Sequence, residues 1–219
     1  AALITNNRKM KLHTIRTDYQ QHELTDCPAD DPLRLFDSWL SEAIRQQVSE
    51  PTAMTLATAT SDGKPSARIV LLKAYSATGF QFFTNYNSRK GRELAENNQA
   101  ALLFFWPELE RQVRVEGRVT KAPAADSDFY FESRPYESRI SAVVSPQSQP
   151  VESRAALEQR WETGKEVIAH APLHRPDYWG GYSLQPQLFE FWQGRPNRLH
   201  DRIVFRFENE KWTISRLAP

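Results

Sequence analysis

The chain is short of cysteine and glycine and carries no excess charge of either sign. Cys27 is the single cysteine among 219 residues, which excludes an internal disulfide and a multi-cysteine zinc site. Only 8 glycines are present, well under the usual share of about 7%. Neither G-x-G-x-x-G nor G-x-x-x-x-G-K-[ST] occurs, which argues against a Rossmann or P-loop nucleotide site. The 28 Lys and Arg against 27 Asp and Glu leave a net charge of +1; that balance argues against a dedicated nucleic-acid binder and against an acidic tail. With a mean hydropathy of −0.63 and no run of about 18 apolar residues, no transmembrane helix is expected. No apolar stretch follows the early basic residues, so no secretory signal is read and a reducing cytoplasm is the expected compartment. The histidines show no metal spacing, so no metal is assigned, and no G-x-S-x-G elbow or carboxylate pair supports covalent hydrolysis.

What is present reads as an arm over residues 1–28 and one domain over residues 29–219. The arm is polar, with a short helix expected around residues 14–19. Asp31-Pro32 is a helix start, and Leu33, Phe36, Leu40, Ala43 and Ile44 continue at helical spacing. Strands are expected at 53–60, 66–75, 81–85, 101–106, 111–121, 188–193, 202–207 and 212–217. Asp62-Gly63 and Thr78-Gly79 mark turns between them. Helices are expected at 89–97, 124–133 and 151–168, with a loop at 145–150. Short connections imply antiparallel pairing. The fold class is therefore α+β, a barrel-like sheet with helices at its periphery.

Four clusters could carry chemistry. Residues 197–202 read N-R-L-H-D-R. On a strand, Arg198, His200 and Arg202 share one face, about 6.6 Å apart at successive positions. Three such groups suit either a bound anion or a wet surface. Residues 68–73, R-I-V-L-L-K, read as a strand buried on both faces with Arg68 and Lys73 at its ends. Arg68 and Lys73 fall on opposite faces, so they serve one ligand through a bulge or by touching different parts of it; two ordinary strand-end charges are the alternative. Arg89 and Lys90 open a helix, where cations oppose the dipole unless a phosphate sits there; plain surface basicity is the alternative. Tyr130 and Arg134 lie four apart on one helix face with Ser138 beyond Pro135, a second anion site or simply a helix-terminal arginine. Gln112 shares a strand face with Arg114 and Glu116. Gln147 and Ser148 form a donor pair in a loop. Trp192, in F-E-F-W (189–192), is more often a core residue than a ligand platform.

Taken together, R-I-V-L-L-K (68–73), F-F-T-N (82–85), S-R-K (88–90), E-R-Q-V (110–113), S-R-P…S (133–138), Q-S (147–148), W-G-G (179–181), E-F-W-Q-G (190–194), R-L-H-D-R (198–202) and R-L-A-P (216–219) resemble the pyridoxine/pyridoxamine 5′-phosphate oxidase family. The resemblance runs from about Leu12 to Pro219, in the family's order and spacing. It implies an antiparallel FMN-binding split β-barrel with peripheral helices, and a homodimer with two FMN sites at the subunit interface. It implies that Arg68, Ile69, Val70, Leu71, Leu72, Lys73, Phe83, Thr84, Arg89, Lys90, Gln112, Gln147, Ser148, Trp192 and Arg202 hold FMN. The phosphorylated B6 vitamer would meet Lys73, Tyr130, Arg134, Ser138, Arg198 and His200, with Arg16 and Tyr19 on the covering arm.

Arg198 and His200 would be the catalytic pair, orienting the substrate and assisting proton removal. The implied reaction takes pyridoxine or pyridoxamine 5′-phosphate to pyridoxal 5′-phosphate. Hydride leaves C4′ for the flavin, and oxygen becomes hydrogen peroxide. The basic groups would divide between two phosphates: Arg68, Arg89 and Lys90 toward the cofactor, Lys73 and Arg134 toward the substrate. Phe83 departs from the tyrosine familiar at its position. Three rivals stay open: a flavin oxidase of a phenazine precursor, a non-catalytic store of pyridoxal phosphate or FMN, and a barrel for single-stranded nucleic acid, which the near-zero charge weakens.

Overall fold

A computed structural model describes residues 18–26, 28–169 and 172–219. Arg16, Cys27 and most of the expected arm, with its short helix, therefore lie outside the described residues. Helix α1 (Pro32–Arg45) starts as the sequence reads: Asp31 accepts the Leu33 N–H at 2.8 Å, and Pro32 takes the first helical position. Two hairpins follow, β1 (Ala53–Ala59) with β2 (Pro65–Leu71), and β3 (Ala74–Ser76) with β4 (Gly79–Asn85). Gly63, at φ 84°, makes the first turn. Helix α2 (Arg89–Glu96) leads to β5 (Gln99–Trp106) and β6 (Arg111–Lys121). Helices α3 (Ala124–Ser133), α4 (Tyr136–Val144) and α5 (Arg154–Ile168) precede β7 (Trp179–Gln193), β8 (Asp201–Glu208) and β9 (Lys211–Arg216).

All pairings are antiparallel, in the order β2-β1-β5-β6-β7-β4-β3, with β8 on β7 and β9 on β8. Strand β7 pairs β4 through residues 179–184 and β8 through residues 188–193. The register shifts at Glu116/Gly117, and a side chain at Gly117 would meet the Gln185 carbonyl at 1.9 Å. That bulge lets the sheet bend where β7 changes partners. Beyond β2, the Lys73 N–H donates to the Gln81 carbonyl of β4 at 2.9 Å, drawing the two margins of the sheet together. The result is a split antiparallel barrel with peripheral helices. Its interior is aromatic: Phe36 of α1 meets Tyr75, Phe80 and Phe104 edge-on at 5.0–5.1 Å, and all but Tyr75 are fully buried.

Four expectations change. The strand expected at 66–75 is two strands. It is also not buried on both faces: exposure alternates along β2, with Ile69 64% and Leu71 39% exposed. Strand β7 is more than twice the expected length, because Gly180, Gly181 and Pro186 mask its first half. Residues 136–144, unassigned from sequence, form α4.

Candidate active site

The expected site residues gather in three clusters. The first lies between β2, β4 and α2. Ser88 caps α2 by accepting the Gly91 N–H at 3.3 Å. Lys90 Nζ stands 3.1 Å from Thr84 Oγ1, 3.1 Å from Gln147 Oε1 and 3.4 Å from Ser88 Oγ. Burial, and then the nearby Arg68 charge, pull the Lys90 ammonium down to about 8. Arg68 donates to the Leu56 carbonyl at 3.2 Å, to Thr58 Oγ1 at 2.5 Å and to Ser66 Oγ.

Glu93 organises this cluster. Its side chain is 5% exposed, and it binds Arg89 Nε at 2.8 Å and Arg68 Nη2 at 3.3 Å. Thr58 and Ser66 each donate to it at 2.5 Å. Burial alone would raise this carboxyl, but bonds from Ser66, Thr58, Arg89 and Arg68 outweigh it and hold it at about 2. Sequence reading missed Glu93, although its spacing of four from Arg89 is an ion-pair signal. Three cations against one carboxylate leave a surplus that suits a phosphate monoester of about −1.5 to −2.

The second cluster is a stack. Phe83 lies on Tyr130 at 4.0 Å, and Trp179 stands 5.8 Å from Phe83. Lys73 Nζ is 5.8 Å from the Tyr130 ring, and the Arg134 guanidinium lies 4.8 Å over Trp179. The expectation that Arg134 shares a helix face with Tyr130 fails: α3 ends at Ser133, and Arg134 is extended at φ −75°, ψ 150°. The reason is Pro135, which disfavours helical backbone before it. Among the described residues, Arg134 Nη1 is buried without a partner. With Asn85, Ser141, Ser145, Gln147 and Trp179, Arg134 lines a cavity of about 190 Å³. A buried unpaired donor is costly, and an anion in that cavity would satisfy it. Ser138 sits half-buried in the first turn of α4, and Ser148 is exposed at φ 66°. Gln147 borders both Lys90 and the cavity, so the first two clusters adjoin.

The third cluster forms where Gln112 pairs with Trp192 and Trp192 with Arg202 across β6, β7 and β8. Arg202 Nε binds Glu190 at 2.8 Å, and Glu190 also holds Arg114 at 2.6 Å. His200 packs against Trp192 at 4.7 Å, and Tyr19 stands edge-on to Trp192 at 5.6 Å. Arg198 and His200 do not share a strand face with Arg202: β8 begins at Asp201, and Arg198 closes a tight turn with Asn197 and itself at φ 58° and 61°. The turn exposes Arg198 and leaves His200 half-buried. The Arg195 N–H donates to His200 Nδ1 at 3.1 Å, so a neutral His200 carries its proton on Nε2. Burial, and then the Arg198 charge, lower its basicity, so the neutral form gains ground.

The third cluster stands apart from the others. Thr84 pairs with Gly180 and Gln112 with Trp192, twelve residues apart on β7. That separation is about 40 Å of extended strand. Among the described residues, no hydrogen bond, ion pair or ring contact joins the third cluster to the other two.

Two family models match the chain: pyridoxamine 5′-phosphate oxidase over residues 40–168, and the pyridoxine 5′-phosphate oxidase C-terminal dimerisation region over residues 179–219. The chain belongs to the pyridoxamine 5′-phosphate oxidase family. It is 54% identical to the pyridoxine/pyridoxamine 5′-phosphate oxidase of Actinobacillus succinogenes, over 96% of this chain and all of that one. It is 50% identical to the enzyme of that name from a Cyanothece strain, over 96% of this chain and 99% of the relative. Among solved structures, PhzG from Burkholderia lata, in complex with tetrahydrophenazine-1-carboxylic acid, superposes with a TM-score of 0.83. It is 32% identical and covers 89% of this chain and 95% of its own. As a pyridoxamine 5′-phosphate oxidase family member the chain is an enzyme, a flavoprotein oxidoreductase of B6 phosphate metabolism. In family terms, the two matched segments meet in one sheet, because β7 pairs both β4 and β6. No described helix is long and apolar enough to cross a membrane.

Proposed function

We propose that this protein uses FMN to oxidise pyridoxine 5′-phosphate or pyridoxamine 5′-phosphate to pyridoxal 5′-phosphate, with O2 reduced to H2O2, as a cytoplasmic homodimer with one domain per chain. The observation that carries the reading is the partition of the site: a phosphate-ready cluster and an aromatic, hydrogen-bonding cluster, both assigned to one cofactor yet separated along β7. Two copies that pair through the outward face of β2, with Ile69 and Leu71 exposed, would bring one cluster of each to the other.

Arg68, Arg89 and Lys90 hold the FMN phosphate in this reading. Lys73 and Arg134 hold the substrate phosphate. Gln112, Trp192 and Arg202 come from the second copy. When bound, FMN would supply the two-electron redox chemistry that couples oxidation at the substrate's C4′ carbon to reduction of oxygen. Arg198 projects from its strained turn toward the substrate. His200 with its proton on Nε2 donates a hydrogen bond and so orients the substrate. Accepting a proton at Nδ1 would break its bond from Arg195. Phe83 offers a face rather than a hydroxyl, stacked on Tyr130.

The reading is tested by adding pyridoxine 5′-phosphate to the FMN-loaded protein in air and following peroxide together with aldehyde absorbance. Equal amounts of both are expected. Ligand binding without peroxide would make the protein a store, and turnover of a phenazine precursor alone would favour the chemistry of the PhzG-like rival.

A pH profile gives a further expectation. Lys90 is charged below about 8 in the unliganded protein, and the phosphate takes its second charge near 6. FMN affinity should plateau between these values. Above about 8, binding must also draw a proton onto Lys90, so affinity should fall up to tenfold per pH unit. Fluorescence titration at pH 7, 8, 9 and 10 reads this slope, and a flat profile would remove Lys90 from the phosphate site.

A further inference from the structure

Glu110 occupies a backbone conformation that glutamate rarely takes. It follows the turn Pro107–Leu109 at φ 54°, ψ 37°, in the left-handed region, and is 7% exposed. Its backbone is pinned there: its carbonyl accepts the Gly194 N–H at 2.8 Å and Gln193 Nε2 at 3.2 Å. Its carboxylate has no cationic partner among the described residues. The adjacent Arg111 is engaged with Glu42 at 2.5 Å and Gln193 at 2.9 Å. Instead, Glu110 Oε2 accepts the backbone N–H groups of Gln20 at 2.9 Å and Gln21 at 3.1 Å.

Those two donors directly follow Tyr19. The Tyr19 ring stands 5.6 Å from Trp192 and 5.7 Å from His200. It also lies over Gly194, where a Cβ would come within 2.6 Å of the ring; glycine there makes room for it. The rest of the segment is tied elsewhere: Arg195 holds the His22 carbonyl at 2.9 Å, and Asp201 accepts the Leu24 N–H at 3.0 Å. Among the described residues, Glu110 alone grips the backbone next to Tyr19. A strained, buried carboxylate committed to two amides of a distant segment is placed for that grip, since bonds to a charged acceptor are the stronger kind.

We propose that Glu110 is a positioning residue for the reaction, a latch that keeps Tyr19 over the Trp192–His200 pair. The proposal deepens the functional reading above and rests on it for the identity of the substrate. A latch acts on how tightly the substrate is held and how fast it leaves, so its loss should raise KM and spare kcat.

The test uses the FMN-loaded protein with Glu110→Gly and Glu110→Gln. Glycine adopts φ 54° without strain and preserves the backbone bonds to Gly194 and Gln193, so the fold survives. In Glu110→Gly the amides of Gln20 and Gln21 should exchange hydrogen about tenfold faster, while Leu24, held by Asp201, keeps its protection. KM for pyridoxine 5′-phosphate should rise about tenfold with kcat within twofold. Glutamine, still an acceptor but uncharged, should fall between the two. Unchanged exchange at Gln20 and Gln21 would overturn the latch. So would faster exchange with KM unaltered, or a loss confined to kcat. If the parent holoprotein proves inactive on the vitamers, the functional reading fails, while exchange at Gln20 and Gln21 still decides whether Glu110 holds the segment.

Discussion

Glu93→Gln should lower the melting temperature of the apoprotein by about 6–12 °C and yet leave FMN binding as tight as before or up to about fivefold tighter. Glu93 is almost wholly buried and satisfies two guanidinium groups and two hydroxyls at once. Removing one partner of a buried pair typically costs about 3–5 kcal/mol. Arg89 is 59% exposed and recovers water, so the low end applies. At about 2–4 °C per kcal/mol for a chain of this size, the loss is readily seen by calorimetry. The effect on cofactor binding has two opposing parts. A carboxylate about 6 Å from a bound phosphate of charge about −1.5 to −2, at an effective dielectric of ~40 for a cleft that water reaches, repels it by about 2–3 kcal/mol. Against that, a freed arginine must be re-ordered at a cost of about 2 kcal/mol. Only Arg89 is freed, since Arg68 keeps its bonds to the Leu56 carbonyl, Thr58 and Ser66. Relief of repulsion therefore wins by a small margin. A melting temperature within a degree of the parent would mean the pairing is not made in solution. A tenfold weaker FMN complex would mean Glu93's main role is to aim the two arginines.

The same cluster shows what a sequence can and cannot disclose. Local signals were legible where one side chain decides the matter: Asp31 as a cap, Gly63 in its turn, Gln112 on the same strand face as Arg114 and Glu116. Legibility failed where the deciding interaction is distant in sequence. Glu93 accepts from Thr58 and Ser66, 35 and 27 residues away, and no local pattern announces that. The strand reading of residues 198–202 failed for a different reason. Alternation presumes extended backbone, and Asn197 and Arg198 are left-handed instead. Residues 68–72 misled because an apolar run suits either a buried strand or an outer strand that awaits a partner. The resemblance assigns these residues to one site, but only the register of β7 shows that they fall into separate groups.

That separation leads to the expectation with the largest effect: Ile69→Glu should convert the protein to single chains that no longer retain FMN. Ile69 is 64% exposed on the outward face of β2, and Phe105, 53% exposed, faces outward opposite Gln112. Exposed apolar side chains beside site residues mark a surface that is covered in the working protein. In a twofold dimer each interface contains two copies of every substitution. An unpaired carboxylate costs several kcal/mol on burial; at about 3 kcal/mol per copy, two copies weaken association by more than 10⁴-fold. The chain itself should stay folded, because the new side chain faces water in the separated protomer. Circular dichroism would confirm that, and sedimentation would give the mass of one chain. Cofactor retention is the decisive reading. A folded single chain carries Arg68, Thr84 and Lys90 but holds its own Gln112, Trp192 and Arg202 far from them, so FMN loses the three residues that the second copy supplies and washes out on a desalting column. If single chains keep their yellow colour, both clusters serve FMN within one protomer, and the shared site is refuted. If the dimer persists with its cofactor, the partner surface lies elsewhere on the barrel than the outer face of β2.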